Sequence, residues 1–167
     1  MAFTPAERER LIEQYASGAA RLRIALGRAP VDARQWHPTP GEWSVHEVVC
    51  HCADAETTAA SRIRVLLVEH EPFVVGYDQD AWATRLDYQA QPLQEALAVV
   101  EAVRAHTATL LRRLPPEAWS RVGRHSESGR YTAEDWLRTS AQHLEGHARQ
   151  IEANGAAWET QSITGLA

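Results

Sequence analysis

Apolar residues recur every three or four positions over long stretches of this chain, as they do on the buried face of an α-helix. The first stretch opens with Thr4-Pro5-Ala6-Glu7, where a capping threonine, a first-turn proline and a glutamate three residues after the cap mark a helix start. Its apolar positions continue to Gly27. A second start of this kind, Ser44-Val45-His46-Glu47, opens a helix that runs towards Glu69.

Two further helices follow in the second part of the chain. Pro92 begins the third, whose leucine-rich stripe stops before Pro115-Pro116. Thr132-Ala133-Glu134-Asp135 opens the fourth, with Asp135 in the position that glutamate takes in the other two starts. Asn154-Gly155 fits the C-terminal cap of that helix. The pattern therefore predicts four helices of about 22 residues each.

The three connections, about residues 27–43, 70–91 and 115–131, hold most of the prolines and glycines, and no stretch shows sustained strand alternation. Four amphipathic helices without strands predict an all-α four-helix bundle. A length of 167 residues suits one domain. We expect the bundle to occupy residues 1–157 and residues 158–167 to form a C-terminal tail.

The chain also resembles itself when it is shifted by 88 residues. The matching pairs are His37 with His125, Gly41 with Gly129, Trp43 with Tyr131, Ser44 with Thr132, Glu47 with Asp135, Leu22 with Leu110 and Leu26 with Leu114. This predicts two pseudo-repeated halves, each a helix, a long loop and a second helix. Each loop, with about 17 residues, is long enough to run back along a helix of about 33 Å. We therefore expect parallel helices within each half and an up-up-down-down bundle.

Composition and charge exclude several classes of protein. The chain is 44% apolar and 23% charged, which is typical of a folded globular protein. It has no run of 18 apolar residues, and acidic residues stand near its start where a secretory signal is apolar, so we expect a cytoplasmic protein that does not enter membranes. The net charge is −5 with dispersed basic residues, which argues against nucleic-acid binding. All 17 basic residues are arginines, so lysine-based catalysis is excluded.

The sequence HLEGH indicates a metal site, because His143 and His147 lie one helical turn apart and can offer two nitrogen ligands to one ion. Since the chain has eight histidines, such a pair also arises by chance, and a third ligand is needed. His51 lies on the inward side of the second helix, beside Val48 and Cys52, and would complete a three-histidine site with its fourth position open. The alternative for His51 is a hydrogen-bonded core histidine.

Three more side chains are candidates for the shell behind these ligands. Glu47 lies one turn before His51, although its place in the capping sequence explains it better. Asp54 lies one turn after His51, where a solvated position is an equal alternative. Gln150 is close to His147 on the same helix. No residue stands out as a general acid or base, so the catalytic residues stay unassigned.

Four segments together resemble a known family. They are GEWSVHEVVCHCADAE, YDQDAWA at 77–83, HSESGRYTAEDW and QHLEGHARQI, and they occur in the right order over nearly the whole chain. In these segments the chain resembles the DinB/YfiT-like superfamily of four-helix bundle metalloproteins.

The resemblance implies an up-up-down-down bundle with one divalent ion, zinc or nickel, held by His51 of the second helix and by His143 and His147 of the fourth. It implies a small-molecule substrate and, by analogy, a homodimer. Two activities fit such a site: hydrolysis, and transfer of a low-molecular-weight thiol to an electrophile. The alternative is a non-catalytic, stress-related metal-binding bundle.

Overall fold

A computed structural model describes residues 3–165 of the chain. Five α-helices, α1 to α5, make up most of it, and four of them are long. The helices are Pro5–Arg28, Val45–Val68, Gln79–Arg85, Leu93–Arg112 and Ala133–Thr164. Three short strands, β1 to β3, lie in the connections and span Phe73–Val74, Val122–His125 and Gly129–Thr132. The all-α four-helix bundle is confirmed, with α1, α2, α4 and α5 as its helices.

The predicted helix starts are confirmed by their caps. In α1, α2 and α5 the side chains of Thr4, Ser44 and Thr132 each accept a hydrogen bond from a backbone N–H three residues on, and the acidic residue there reaches back to the cap. The fourth long helix, α4, begins after Pro92, whose side chain makes no capping bond. The caps of α1 and α4, like those of α2 and α5, stand 88 residues apart, which supports the pseudo-repeated halves.

The directions of the helices follow from the pairs that join them. Along α1 and α5, Arg8 pairs with Glu134 near both starts and Arg28 with Glu152 further along both helices, so these neighbours are parallel. Across α2 and α5, His51 faces His143 whereas Ala59 accepts from Trp136, so this pair is antiparallel.

The remaining two pairs of neighbouring helices involve α4. Glu13 of α1 pairs with Arg112, the last residue of α4, so α1 and α4 are antiparallel. His46 at the start of α2 contacts the Gln91 carbonyl just before α4, and Arg64 near the end of α2 reaches Thr107, so α2 and α4 are parallel. The bundle is therefore up-down-down-up.

The predicted up-up-down-down order is wrong because the loop after α1 does not run back along the bundle. It turns at the end of α1 in a short 3-10 helix, Val31–Ala33, and the His46 N–H donates to the Arg34 carbonyl. The second helix therefore starts where the first ends and returns antiparallel to it. The connection between α2 and α4, with β1 and α3, crosses the bundle instead.

The strands form a small three-stranded sheet in the order β1-β2-β3, parallel between β1 and β2 and antiparallel between β2 and β3. The sequence did not predict it, because strands of two and four residues are too short to show an alternating pattern. The sheet joins the crossing connection to the hairpin that precedes α5.

The last helix is longer than predicted. Asn154-Gly155 does not end it: the Asn154 amide donates to the Trp43 carbonyl, and Gly155 packs against Ala29 and Pro30. The helix ends at Gly165, which has the positive φ of 71° of a C-terminal cap. Most of the expected tail, residues 158–167, therefore lies in α5. Its residues 166 and 167 lie outside the described part of the chain, as do residues 1 and 2 of the expected domain.

The apolar core consists of two clusters of buried side chains, one towards each end of the bundle. One cluster contains side chains from the second half of α1, the first half of α2 and the later part of α5. The other contains side chains from the first half of α1, the second half of α2 and the start of α5. None of the helices in the described part of the chain has both the length and the apolar character that a membrane span needs.

Candidate metal centre

Three histidines from two helices meet inside the bundle. His51 lies on α2, and His143 and His147 lie one turn apart on the antiparallel neighbour α5. The Nε2 atom of His143 lies 3.4 Å from that of His51 and 3.2 Å from that of His147. One nitrogen from each ring falls within a cluster no more than 4.8 Å across, an arrangement that could hold a metal ion. The structure thus brings together the three residues selected from the sequence.

Burial keeps at least two of these imidazoles uncharged. His51 is fully buried, and desolvation together with His147 and His143 lowers its pKa from 6.5 to about 3. Desolvation and His143 likewise lower the pKa of His147 to about 4. A neutral imidazole has a free nitrogen lone pair, which is the form that binds a metal ion.

The surroundings of His51 differ from those of a hydrogen-bonded core histidine. Within residues 3–165 its buried Nδ1 atom has no hydrogen-bond partner, and its Nε2 atom faces the other two histidines of the cluster. The ring of Trp43 packs against it, with centroids 4.7 Å apart. Three nitrogens that face one another cannot all be satisfied by hydrogen bonds between themselves, whereas one cation accepts all three. The donor set therefore fits a divalent metal ion.

Two polar side chains stand behind the α5 histidines. The amide oxygen of Gln150 lies 2.9 Å from Nδ1 of His147, so Gln150 occupies the place expected of it. A carboxylate oxygen of Glu56 lies 3.7 Å from Nδ1 of His143. Groups in such places fix the tautomer and ring orientation of a ligand histidine.

Glu56 is part of a fully buried ion pair with Arg104 of α4, and each side chain is 1% exposed. The Nε and Nη2 atoms of Arg104 donate to the two Glu56 oxygens at 2.8 and 2.7 Å. Nη2 also donates to the Ser140 carbonyl, and Nη1 donates to the Tyr15 carbonyl. Burial alone would raise the pKa of the Glu56 carboxyl, but the facing His143 and Arg104 outweigh it and hold the pKa below its usual value. The carboxylate is therefore ionised and fixed.

Neither Glu56 nor Arg104 was selected from the sequence. The candidates on α2, Glu47 and Asp54, lie one turn from His51, whereas Glu56 is five residues on and faces His143 from a different side of the helix. A signal was present: both charges interrupt apolar stripes, Glu56 one turn after Cys52 and Arg104 one turn after Val100.

The other two candidates lie elsewhere. Glu47 accepts from the Ser44 backbone as part of the helix cap, and its carboxylate lies 2.8 Å from His37 Nε2. Asp54 accepts a hydrogen bond of 2.7 Å from the Tyr88 hydroxyl. Within residues 3–165, no cysteine, aspartate, glutamate or further histidine joins the three-histidine cluster as a fourth ligand.

A cavity of about 140 Å³ lies beside the cluster, and His143 forms part of its wall. Glu56 and Arg62 of α2, Trp136 of α5 and the rings of Tyr77 and Tyr131 also line it. Tyr77 stacks on Trp82 of α3, with ring centroids 4.3 Å apart. The segment YDQDAWA at 77–83 therefore contributes to a cavity wall.

Proteins similar in sequence are named for metal-dependent hydrolysis. A protein of Oceanobacillus iheyensis named "putative metal-dependent hydrolase" is 35% identical over 89 residues, which cover 53% of this chain and 51% of that protein. The protein YfiT of Bacillus subtilis, with the same description, is 28% identical over 88 residues, covering 53% and 49%. The match thus spans about half the length of these relatives.

Solved structures share the fold. The structure of YfiT from Bacillus subtilis, described as "a probable metal-dependent hydrolase with an unusual four-helix bundle topology", has a TM-score of 0.85 at 22% identity and covers 99% of this chain and 92% of that one. The four-helix bundle protein TT2238 has a TM-score of 0.62 at 20% identity, covering 87% and 98%. The model of the DinB superfamily matches residues 14–151. The chain belongs to the DinB superfamily.

Proposed function

We propose that this protein is a metal-dependent enzyme that holds one divalent cation, zinc or nickel, through His51, His143 and His147 and acts on a small molecule. One observation carries the proposal: three Nε2 atoms converge inside the bundle without a fourth protein ligand among the described residues. Catalytic metal sites commonly keep such an open position, whereas structural sites fill it.

Held by three neutral imidazoles, a divalent cation would keep its full charge and polarise a water, thiol or carbonyl oxygen at the open position. The protein's own groups hold the ligands in place. Gln150 fixes the ring of His147, and Glu56, itself fixed by Arg104, faces the ring of His143. The names of the sequence relatives support hydrolysis as the reaction.

Transfer of a low-molecular-weight thiol is a second candidate, and the state of Glu56 favours it. Glu47 accepts a hydrogen bond in the Ser44 cap, and Asp54 accepts one from Tyr88. Glu56 is held by Arg104, so none of these three carboxylates is free to act as a base towards water. A thiol needs less help, since its ordinary pKa of about 8.5 is already near neutral.

The test compares the wild type with the double variant His143→Ala/His147→Ala, each incubated with zinc or nickel. Ester and amide substrates would be assayed with and without a small thiol. Turnover without thiol that the double variant lacks supports hydrolysis, and turnover only with thiol supports transfer. A thiol-dependent change in the visible spectrum of the cobalt-substituted protein would further support transfer. Equal rates in both proteins would refute the proposal.

The non-catalytic alternative makes a different prediction for the same experiment. A storage or structural bundle would bind the metal without turnover of either substrate class. The open ligand position and the adjoining cavity favour the enzyme. The homodimer expected from the resemblance stays a prediction, and sedimentation velocity of the purified protein tests it.

A further inference from the structure

An arginine without an acidic partner lines the cavity beside His143. Among residues 3–165, no carboxylate forms an ion pair with Arg62. One terminal nitrogen donates to the Val75 carbonyl, and the guanidinium lies over the ring of Tyr77, 5.6 Å from its centroid. The buried Nε atom of Arg62 has no hydrogen-bond partner in the described part of the chain. Arg62 therefore keeps donors and a positive charge that the described protein groups do not use.

The cavity's other ionised group is already neutralised. Glu56 shares the wall with Arg62, but both of its oxygens accept hydrogen bonds from Arg104. The charge of the Glu56–Arg104 pair sums to zero, so the charge left over at the cavity is the one positive charge of Arg62. A negatively charged group of a ligand would balance it.

Two tyrosines supply further donors. Tyr77 and Tyr131 also line the cavity, and the phenol hydroxyl of each can donate one hydrogen bond. Burial raises the pKa of Tyr77 to about 12 and also raises that of Tyr131, so both hydroxyls keep their protons at neutral pH. A protonated phenol donates to an anion.

We propose that this cavity binds a carboxylate group of the small-molecule substrate, with Arg62 as its cationic partner and Tyr77 and Tyr131 as neutral donors. A guanidinium matches the two oxygens of a carboxylate with two parallel N–H donors. The shared wall at His143 places the rest of the substrate next to the three-histidine cluster. The proposal rests on the proposed function for that placement, whereas the anion site itself needs no metal.

Size and charge favour a carboxylate over a phosphate. The volume of about 140 Å³ is close to that of an engineered cavity of about 150 Å³ that binds benzene, so the site suits a compact group. One guanidinium balances one negative charge. A phosphate dianion would leave a second charge uncompensated near Glu56, which is unfavourable in a partly buried site.

The experiment is isothermal titration of the metal-free protein with benzoate, its uncharged analogue benzamide and inorganic phosphate. Removal of the metal prevents direct binding of these ligands to it. The variant is Arg62→Gln, and the matched control is Arg64→Gln, which removes an arginine of the same helix that does not line the cavity. We expect the wild type and the control to bind benzoate at least tenfold more tightly than benzamide or phosphate. We expect Arg62→Gln to lose this preference for benzoate.

Four results would overturn the proposal: no binding of benzoate, equal binding of benzamide, tighter binding of phosphate, or unchanged benzoate affinity in Arg62→Gln. The comparison of benzoate with benzamide needs only the wild type, so it stands even if Arg62→Gln does not fold. The metal content of the same proteins separates the two proposals. Metal binding without an Arg62-dependent carboxylate site contradicts this inference alone, and the reverse result contradicts the metal site alone.

Discussion

The buried pair of Glu56 and Arg104 makes a quantitative prediction. In the variant Arg104→Met, the Glu56 carboxylate would remain at 1% exposure without the guanidinium that binds both of its oxygens. The carbonyls of Tyr15 and Ser140 lie inside α1 and α5 and would lose only the additional donors that Arg104 supplies. An unpaired charge would then lie in the core.

Removing one partner of a buried ion pair destabilises a protein by about 3–5 kcal/mol, because the remaining charge stays buried without compensation. For a domain of 150–250 residues, each kcal/mol lowers the melting temperature by about 2–4 °C, so we expect a loss of roughly 6–20 °C. The double variant Glu56→Met/Arg104→Met removes both charges and should recover most of this loss.

Thermal and urea unfolding of the metal-free proteins, followed by circular dichroism, measure the effect. The matched control is Arg112→Met, which breaks an exposed pair with Glu13 and should cost about 0–1 kcal/mol. If Arg104→Met cost no more than this control, or if the double variant were less stable than the single one, the description of a strongly coupled buried pair would be refuted.

Three further predictions concern the packing, the ligands and pH. Gly18→Ala should destabilise the protein by about 1–3 kcal/mol in urea unfolding, because the added Cβ would lie 2.7 Å from Arg104 Nη1. In the control Gly146→Ala the added Cβ meets nothing within 4 Å, so this variant should stabilise α5 by about 0.5–1 kcal/mol. Equal effects of the two substitutions would contradict this packing. Gln150→Leu should weaken zinc affinity about tenfold in a competition titration, since His147 loses its partner, and unchanged affinity would count against that role. The metal-free fold should lose stability as the pH falls from 6.5 towards 3, because the pKa of His51 is lowered to about 3 and the unfolded chain binds more protons in this window. Urea unfolding at pH 7 and pH 5 measures this loss, which should be smaller in His51→Phe than in the wild type.

Features encoded locally were predictable from the sequence. The caps of α1, α2 and α5 depend on residues three apart, and the starts of these helices were predicted correctly. The convergence of the histidines was also predictable, because His143 and His147 share one face of α5 by spacing alone and His51 lies on the inward face of α2.

Features that depend on distant contacts were not predictable in this way. The up-down-down-up order depends on how the loop after α1 packs, and the bond from His46 to the Arg34 carbonyl is not visible in any periodicity. Similarly, Glu56 acquires its place behind His143 from Arg104, 48 residues away on another helix. Spacing along one helix cannot reveal a partner that another helix supplies.

The proposed function requires three histidines that together hold one divalent cation. The most direct test is equilibrium titration of the metal-free protein with zinc or nickel, followed by elemental analysis, for the wild type, His143→Ala/His147→Ala and the control His106→Ala, which removes an exposed histidine of α4. We predict one ion per chain in the wild type and the control and none in the double variant. Retention of the ion by the double variant, or no binding by the wild type even with excess metal, would contradict the account.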